Sequence, residues 1–269
     1  MKSFSKLTFS IFKRDILVYF LSFITSVLIA RKLGPSILGI ISIFRIIISY
    51  AEAFVRTKSD LAAVYLIGKR KISLVDAISN LNLIAIVSSS LLLGIVFLKF
   101  NFFYNLLFSQ ADGNYKIQFF LLLIISPLNF FYLNYSYIHI TLFNIKDYNH
   151  MVLINSLVNS FATLFFIYIY PINENSILVA HTLAPIFALF YGWYKLPNNL
   201  KNKGKANIND SLKIIRYGIQ FYVVSLFSEF QQSGSRLIAV AYLPVDLFGF
   251  LAQGQRLSIL LEKILNPVS

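Results

Sequence analysis

The sequence contains no cysteine and little charge. Because cysteine is absent from the 269 residues, disulfide bonds, thiolate metal sites and cysteine nucleophiles are excluded. Charged residues make up only 13% of the chain, against about 25% in a typical soluble domain. The three histidines, His139, His150 and His181, are scattered and form no ligand pair with carboxylates. We therefore predict no metal site and no cofactor.

Apolar residues dominate the composition of the sequence. They account for 57% of the chain, and the mean hydropathy is +0.70. Apolar runs of membrane-spanning length recur without the period-two alternation of a β-barrel. The sequence therefore predicts an all-α, polytopic transmembrane bundle of about eight helices. The predicted segments cover residues 12–33, 39–57, 77–99, 116–140, 150–170, 176–195, 211–243 and 247–269.

The basic residues predict an orientation. The net charge is +13, and lysine and arginine fall on alternate sides of the predicted spans in a ratio of about sixteen to four. The richer side includes the N-terminus, the Lys69–Lys71 loop and the Lys201–Lys205 linker, so we place these in the cytoplasm. The N-terminal segment resembles a signal peptide but lacks a small-x-small cleavage site, which favours a retained first helix. This distribution explains the basic charge without a nucleic-acid partner.

Three predicted spans carry polar stripes at helical spacing. Each stripe repeats at intervals of three, four or seven residues, so its members share one helix face. Burying an ionised side chain in hydrocarbon costs roughly 2.5 to 3.5 kcal/mol or more, so such stripes are expected to face a wet cavity. The stripes are Arg45, Ser49, Glu52 and Arg56 on the second span, Ser225, Glu229, Gln232 and Arg236 on the seventh, and Gln253, Arg256 and Lys263 on the eighth.

Six of these residues are candidates for a substrate-binding lumen. Arginine is suited to the task because its planar guanidinium binds phosphate through two parallel hydrogen bonds and stays charged at any relevant pH. A structural explanation stands beside this one: Arg56 near a helix end can extend its charge to the interface, and Glu52 and Glu229 can neutralise neighbouring arginines. The candidates are Arg45, Arg256, Arg236, Glu52, Arg56 and Glu229.

An internal repeat is indicated at a shift of about 210 residues. The shift places "LIARKLGPSILGIIS" over "LIAVAYLPVDLFGFLA", with Leu33 on Leu243 and Gly39 on Gly249. Each stretch contains a helix end, a proline-containing turn and a new helix that opens at glycine. We therefore predict a six-helix N-terminal lobe in residues 1–205 and the first two helices of a second lobe in residues 206–269.

These same stretches resemble a known family. "IARKLGPSILGIISIFRIIISY" is similar to the first-to-second helix signature of polysaccharide flippases, and "RLIAVAYLPVDLFGFLAQGQRLSILLEKILNP" is similar to their seventh-to-eighth helix region. The resemblance is to Wzx-type O-antigen and capsular polysaccharide transporters. These belong to the multidrug/oligosaccharidyl-lipid/polysaccharide superfamily, which also contains the MATE exporters.

The resemblance implies a MATE-like two-lobed bundle in the bacterial inner membrane. It implies a flippase rather than an enzyme, which moves undecaprenyl-pyrophosphate-linked oligosaccharides for O-antigen, capsule or exopolysaccharide biosynthesis through a cationic lumen. Its partners would be that substrate, membrane lipids and other polysaccharide-assembly membrane proteins. The family has twelve or fourteen helices, so a chain of eight is expected to be partial. The alternatives are a membrane polymerase or acyltransferase, a MATE-type exporter, and a fragment that inserts without transporting.

Overall fold

A computed structural model describes residues 4–170, 175–201 and 204–265, and every regular element in these ranges is helical. The all-α prediction is therefore confirmed for the described part of the chain. In addition to a short 3-10 helix, Asn198–Leu200, the α-helices are α1 Phe4–Val55, α2 Ser59–Gly68, α3 Leu74–Leu98, α4 Phe100–Phe108, α5 Lys116–Thr141, α6 Ile145–Tyr168, α7 Asn175–Lys195, α8 Ile208–Tyr242 and α9 Val245–Leu265.

Helix α1 consists of two arms that meet at a break. Gly34 has φ 78° and ψ 173°, a backbone conformation that glycine adopts without the steric cost of a side chain. Pro35 follows directly, and its missing N–H is no loss at the start of a helix. The first two predicted spans thus form as the arm of residues 4–33 and the arm of residues 35–55.

Within the described residues, five helical stretches are long and apolar enough to cross a membrane, against the eight spans that the sequence predicts. The first of them contains the first two predicted spans and continues through α2. Helices α8 and α9, the predicted seventh and eighth spans, are not among the five, because serine, glutamine and charged residues interrupt their apolar sequence. The five are Phe9–Gly68, Leu74–Leu98, Lys116–Thr141, Ile145–Tyr168 and Asn175–Lys195.

An aromatic cluster joins α1 to α4 and α5. Phe44 is fully buried, and its ring lies edge-on to those of Phe108 and Tyr115, with centroids 6.4 and 6.2 Å apart. Phe108 contacts Phe119 in the same manner at 6.2 Å. Edge-to-face pairs of this kind stabilise the packing beyond the area they bury. The cluster fixes the arm of residues 35–55 against the interior of the bundle.

Helix α9 packs along α1 through a reciprocal pair of close contacts. A Cβ atom added at Gly39 would lie 2.1 Å from the carbonyl oxygen of Val245, and one added at Gly249 would lie 2.3 Å from that of Pro35. Under the predicted shift of about 210 residues, Pro35 corresponds to Val245 and Gly39 corresponds to Gly249. The contact of Gly39 with Val245 is therefore the counterpart of the contact of Gly249 with Pro35. Such exchange is typical of two segments packed about a twofold axis. The division into two lobes stays a prediction.

Candidate functional site

A polar cavity lies where the arm of residues 35–55 meets α8. Its volume is about 120 Å³, enough for only a few water molecules. Acidic, basic and hydroxyl side chains line it. The lining residues are Ser49, Glu52, Ala53, Arg56, Lys58, Tyr222, Ser225 and Glu229.

The chain leaves the helical conformation at this cavity. Thr57 and Lys58 have φ values of 44° and 52°, so the backbone turns left-handed between α1 and α2. Non-glycine residues adopt this conformation only when the surrounding structure stabilises it.

Helix α8 supplies the support for this break. The hydroxyl of Tyr222 donates to the carbonyl oxygen of Phe54 at 3.2 Å, so one carbonyl at the end of α1 has a partner. Gly218 lies so close to the break that a Cβ atom there would be 2.7 Å from the Thr57 carbonyl oxygen. A side chain at position 218 would therefore separate α8 from the break.

Arg56 is fixed by a buried ion pair. Its Nε and Nη2 atoms donate to one oxygen of Asp60, at 3.0 and 2.5 Å, and its guanidinium lies over the Tyr137 ring at 5.1 Å. Asp60 is fully buried, and its second oxygen has no hydrogen-bond partner. Arg56 is thus held by α2 and α5, and its charge is already compensated within the protein.

The two glutamates of the cavity connect three helices. Glu229 on α8 accepts from Ser49 Oγ at 2.5 Å and from Ser233 Oγ at 2.8 Å. Glu52 lies within electrostatic range of Asn129 of α5, of Arg56 and of Glu229. The polar stripes of the second and seventh predicted spans therefore face each other.

Three of the six predicted site residues, Glu52, Arg56 and Glu229, line this cavity together. Arg45 is half-buried one turn before Ser49 and is not among the lining residues. Arg236 donates from Nε to Gln255 Oε1 of α9 at 2.8 Å and also lies outside the lining. Arg256 belongs to α9, but its side chain lies outside what the structure describes.

The cavity contains charges of both signs, and the cationic lumen stays a prediction. Two glutamates and two basic residues line it, so the formal charges balance. The predicted site residues include neither Lys58 nor Tyr222, which both line the cavity. Extending the α8 stripe backwards from Ser225 by three residues would have identified Tyr222, because the two share a helix face.

The histidines have structural partners. His139 Nε2 lies 3.0 Å from the Gly192 carbonyl oxygen, and His150 Nδ1 lies 2.8 Å from the Tyr191 hydroxyl. In the ranges that the structure covers, no three His, Cys, Asp or Glu residues form a group that could hold a metal ion.

A comparison of the chain with protein-family models, with curated protein sequences and with solved structures finds no match.

Proposed function

We propose that this chain acts in the transport of an undecaprenyl-pyrophosphate-linked oligosaccharide across the bacterial inner membrane. The observation that carries the proposal is the charged cavity at the break between α1 and α2, closed by α8. Transporters typically bind their substrates at interfaces between repeats, next to helices that are interrupted within the membrane. The sequence resemblance to polysaccharide flippases supplies the class of substrate.

The chemistry of such a substrate requires a polar path. A sugar pyrophosphate is doubly anionic and strongly hydrated, so it cannot enter hydrocarbon unless other groups replace its water. Arginine and lysine side chains replace that water with charge-assisted hydrogen bonds, while the lipid tail stays in the bilayer. No covalent step is needed for this task.

The cavity represents a closed state in this proposal. A volume of about 120 Å³ is below the roughly 300 to 1,000 Å³ of ordinary ligand pockets. Admission of substrate therefore requires α8 to move away from the arm of residues 35–55, which breaks the Ser49–Glu229 hydrogen bond. Rocking of one helix group against the other would expose the site to each side in turn.

The test is complementation of surface polysaccharide in a strain that lacks the gene. The proposal places Arg45 and Arg256 on the substrate path of the open state, although Arg45 does not line the closed cavity. Arg45→Ala or Arg256→Ala is therefore expected to abolish surface polysaccharide while the amount of protein in the membrane stays unchanged. Lysine at either position should restore only part of the surface polysaccharide, because lysine keeps the positive charge but lacks the planar guanidinium that binds phosphate at two points. Lys203→Ala, in the predicted cytoplasmic linker and outside the described residues, is the silent control. Normal polysaccharide in both alanine variants would refute the proposal.

A MATE-type cation-coupled exporter is the second candidate. Glu52 and Glu229 line the cavity, and carboxylates are suited to a cationic drug or a coupling ion. The same deletion strain separates the two candidates. Sensitivity to cationic dyes with intact surface polysaccharide would favour the exporter, and the reverse pattern would favour the flippase.

A further inference from the structure

A second concavity lies on the outer face of the bundle, between α3, α5 and α7. Its volume is about 340 Å³, and its surface is almost entirely apolar. Helix α5 contributes Phe131 and Tyr135, and α7 contributes the side chains that face them. We call this concavity the lateral groove; its lining residues are Asn82, Phe131, Tyr135, Leu189, Phe190 and Trp193.

The lateral groove has a cationic rim. Lys201 Nζ lies over the Trp193 ring at 5.0 Å from its centroid. The same ammonium group donates to the Tyr194 carbonyl oxygen at 3.1 Å and to Asn198 Oδ1 at 3.3 Å. Lys201 is therefore held at the edge of an apolar groove, beside an aromatic ring of the kind enriched at membrane interfaces.

The wall contributed by α3 contains an unused polar atom. Asn82 Oδ1 is buried and has no hydrogen-bond donor, although buried polar atoms are rarely left without one.

We propose that the lateral groove binds one anionic phospholipid. An acyl chain occupies the apolar lining, and the phosphate is attracted to Lys201. The positive charge at the rim favours an anionic over a zwitterionic lipid. This inference rests on residence in a membrane and is independent of any transport activity.

Trp193 makes the site directly measurable, because it is the only tryptophan in the chain. The purified protein is reconstituted in vesicles of zwitterionic phosphatidylcholine that contain a small fraction of brominated lipid, which quenches tryptophan on contact. We expect brominated phosphatidylglycerol to quench Trp193 at about fivefold lower mole fraction than brominated phosphatidylcholine, the preference expected from one lysine near an anionic headgroup.

Three variants test the role of the rim. Lys201→Gln should abolish the preference for phosphatidylglycerol, and Lys201→Arg should keep it. Lys71→Gln is the matched control, because Lys71 also lies over an aromatic ring, 5.5 Å from the centroid of Tyr217, and donates to its hydroxyl. The Lys71→Gln variant should retain the full preference. Equal quenching by the two lipids in the unaltered protein, a preference that survives Lys201→Gln, or one that is also lost in Lys71→Gln would overturn the proposal.

Discussion

Ser49 and Glu229 are separated by 180 residues in sequence and joined by a hydrogen bond of 2.5 Å, from Ser49 Oγ to Glu229 Oε1. The bond connects the arm of residues 35–55 to α8, at the edge of a cavity that both elements line. A hydrogen bond to an ionised group contributes more to stability than one between neutral groups. The contact is thus a strong determinant of how α8 sits on α1.

Ser49→Ala is expected to lower the free energy of unfolding by about 1.5 to 3 kcal/mol, because Glu229 loses a donor in a partly buried site. Ser42→Ala serves as the control on the same arm, since the Ser42 hydroxyl bonds only to the Leu38 carbonyl of its own helix. Unfolding in detergent followed by circular dichroism measures both. Equal effects of the two substitutions would mean that the contact with α8 adds nothing.

Gly39→Ala and Gly249→Ala should each destabilise the protein by about 1 to 3 kcal/mol. In both cases the new methyl group would meet a backbone carbonyl oxygen, at 2.1 and 2.3 Å respectively, and backbone cannot easily move aside. Gly94→Ala is the control, because in the described part of the chain no side chain and no other segment comes within 4 Å of a Cβ there. In α3 that change should stabilise by about 0.5 to 1 kcal/mol, through a lower entropy of the unfolded chain. Thermal unfolding in detergent shows whether each substitution lowers or raises the stability.

Asp60→Asn should cost about 3 to 5 kcal/mol, because it leaves the largely buried charge of Arg56 without its partner. The exposed pair Lys213–Asp210, with a distance of 2.8 Å and a lysine side chain that is 58% exposed, provides the comparison. Asp210→Asn should change stability by less than about 1 kcal/mol. Similar losses in the two variants would show that burial does not set the strength of the Arg56–Asp60 pair.

The absence of cysteine allows the membrane orientation to be tested with single-cysteine variants and an impermeant maleimide applied to intact cells. Lys71 and Lys205 lie at one end of the bundle, because the Lys205 backbone N–H donates to Asp76 near the start of α3. Lys71→Cys and Lys205→Cys should be protected from the reagent, and Asp112→Cys should be labelled. Opposite labelling of Lys71→Cys and Lys205→Cys would refute the predicted topology. The predicted outer loop around Glu174 lies outside the described residues.

Hydropathy and turn residues were sufficient to locate most helices. The segment predicted at 116–140 forms α5, Lys116–Thr141, and the segment at 176–195 forms α7, Asn175–Lys195. The Gly34–Pro35 turn was also identifiable, because this pair of residues has a strong local conformational preference. Signals of this kind depend on only a few neighbouring residues, so they predict local structure without knowledge of tertiary contacts.

The elements that the sequence did not predict depend on distant contacts. Helix α4, Phe100–Phe108, lies beyond the end of a predicted span and is stabilised by ring contacts with Phe119 of α5 and Phe44 of α1. Helix α2 follows a left-handed backbone at Thr57 and Lys58, which no local preference of those residues indicates. The support comes from Gly218 and Tyr222, more than 150 positions away in the sequence. Helical periodicity predicts which residues share a face in the stripes of the second and seventh spans. It does not predict which residues of one stripe contact which residues of the other.

The long separation between Ser49 and Glu229 also has a consequence for the timing of synthesis. At about 5 to 20 residues per second, Ser49 leaves the ribosome roughly 10 to 40 s before Glu229. During that interval Ser49, on the polar face of α1, has no contact with α8, because α8 has not yet been synthesised. Arg56 and Asp60 are only four residues apart, so both are synthesised within about a second of each other. The two partners of this ion pair are therefore present long before the acceptor of the Ser49–Glu229 hydrogen bond is made.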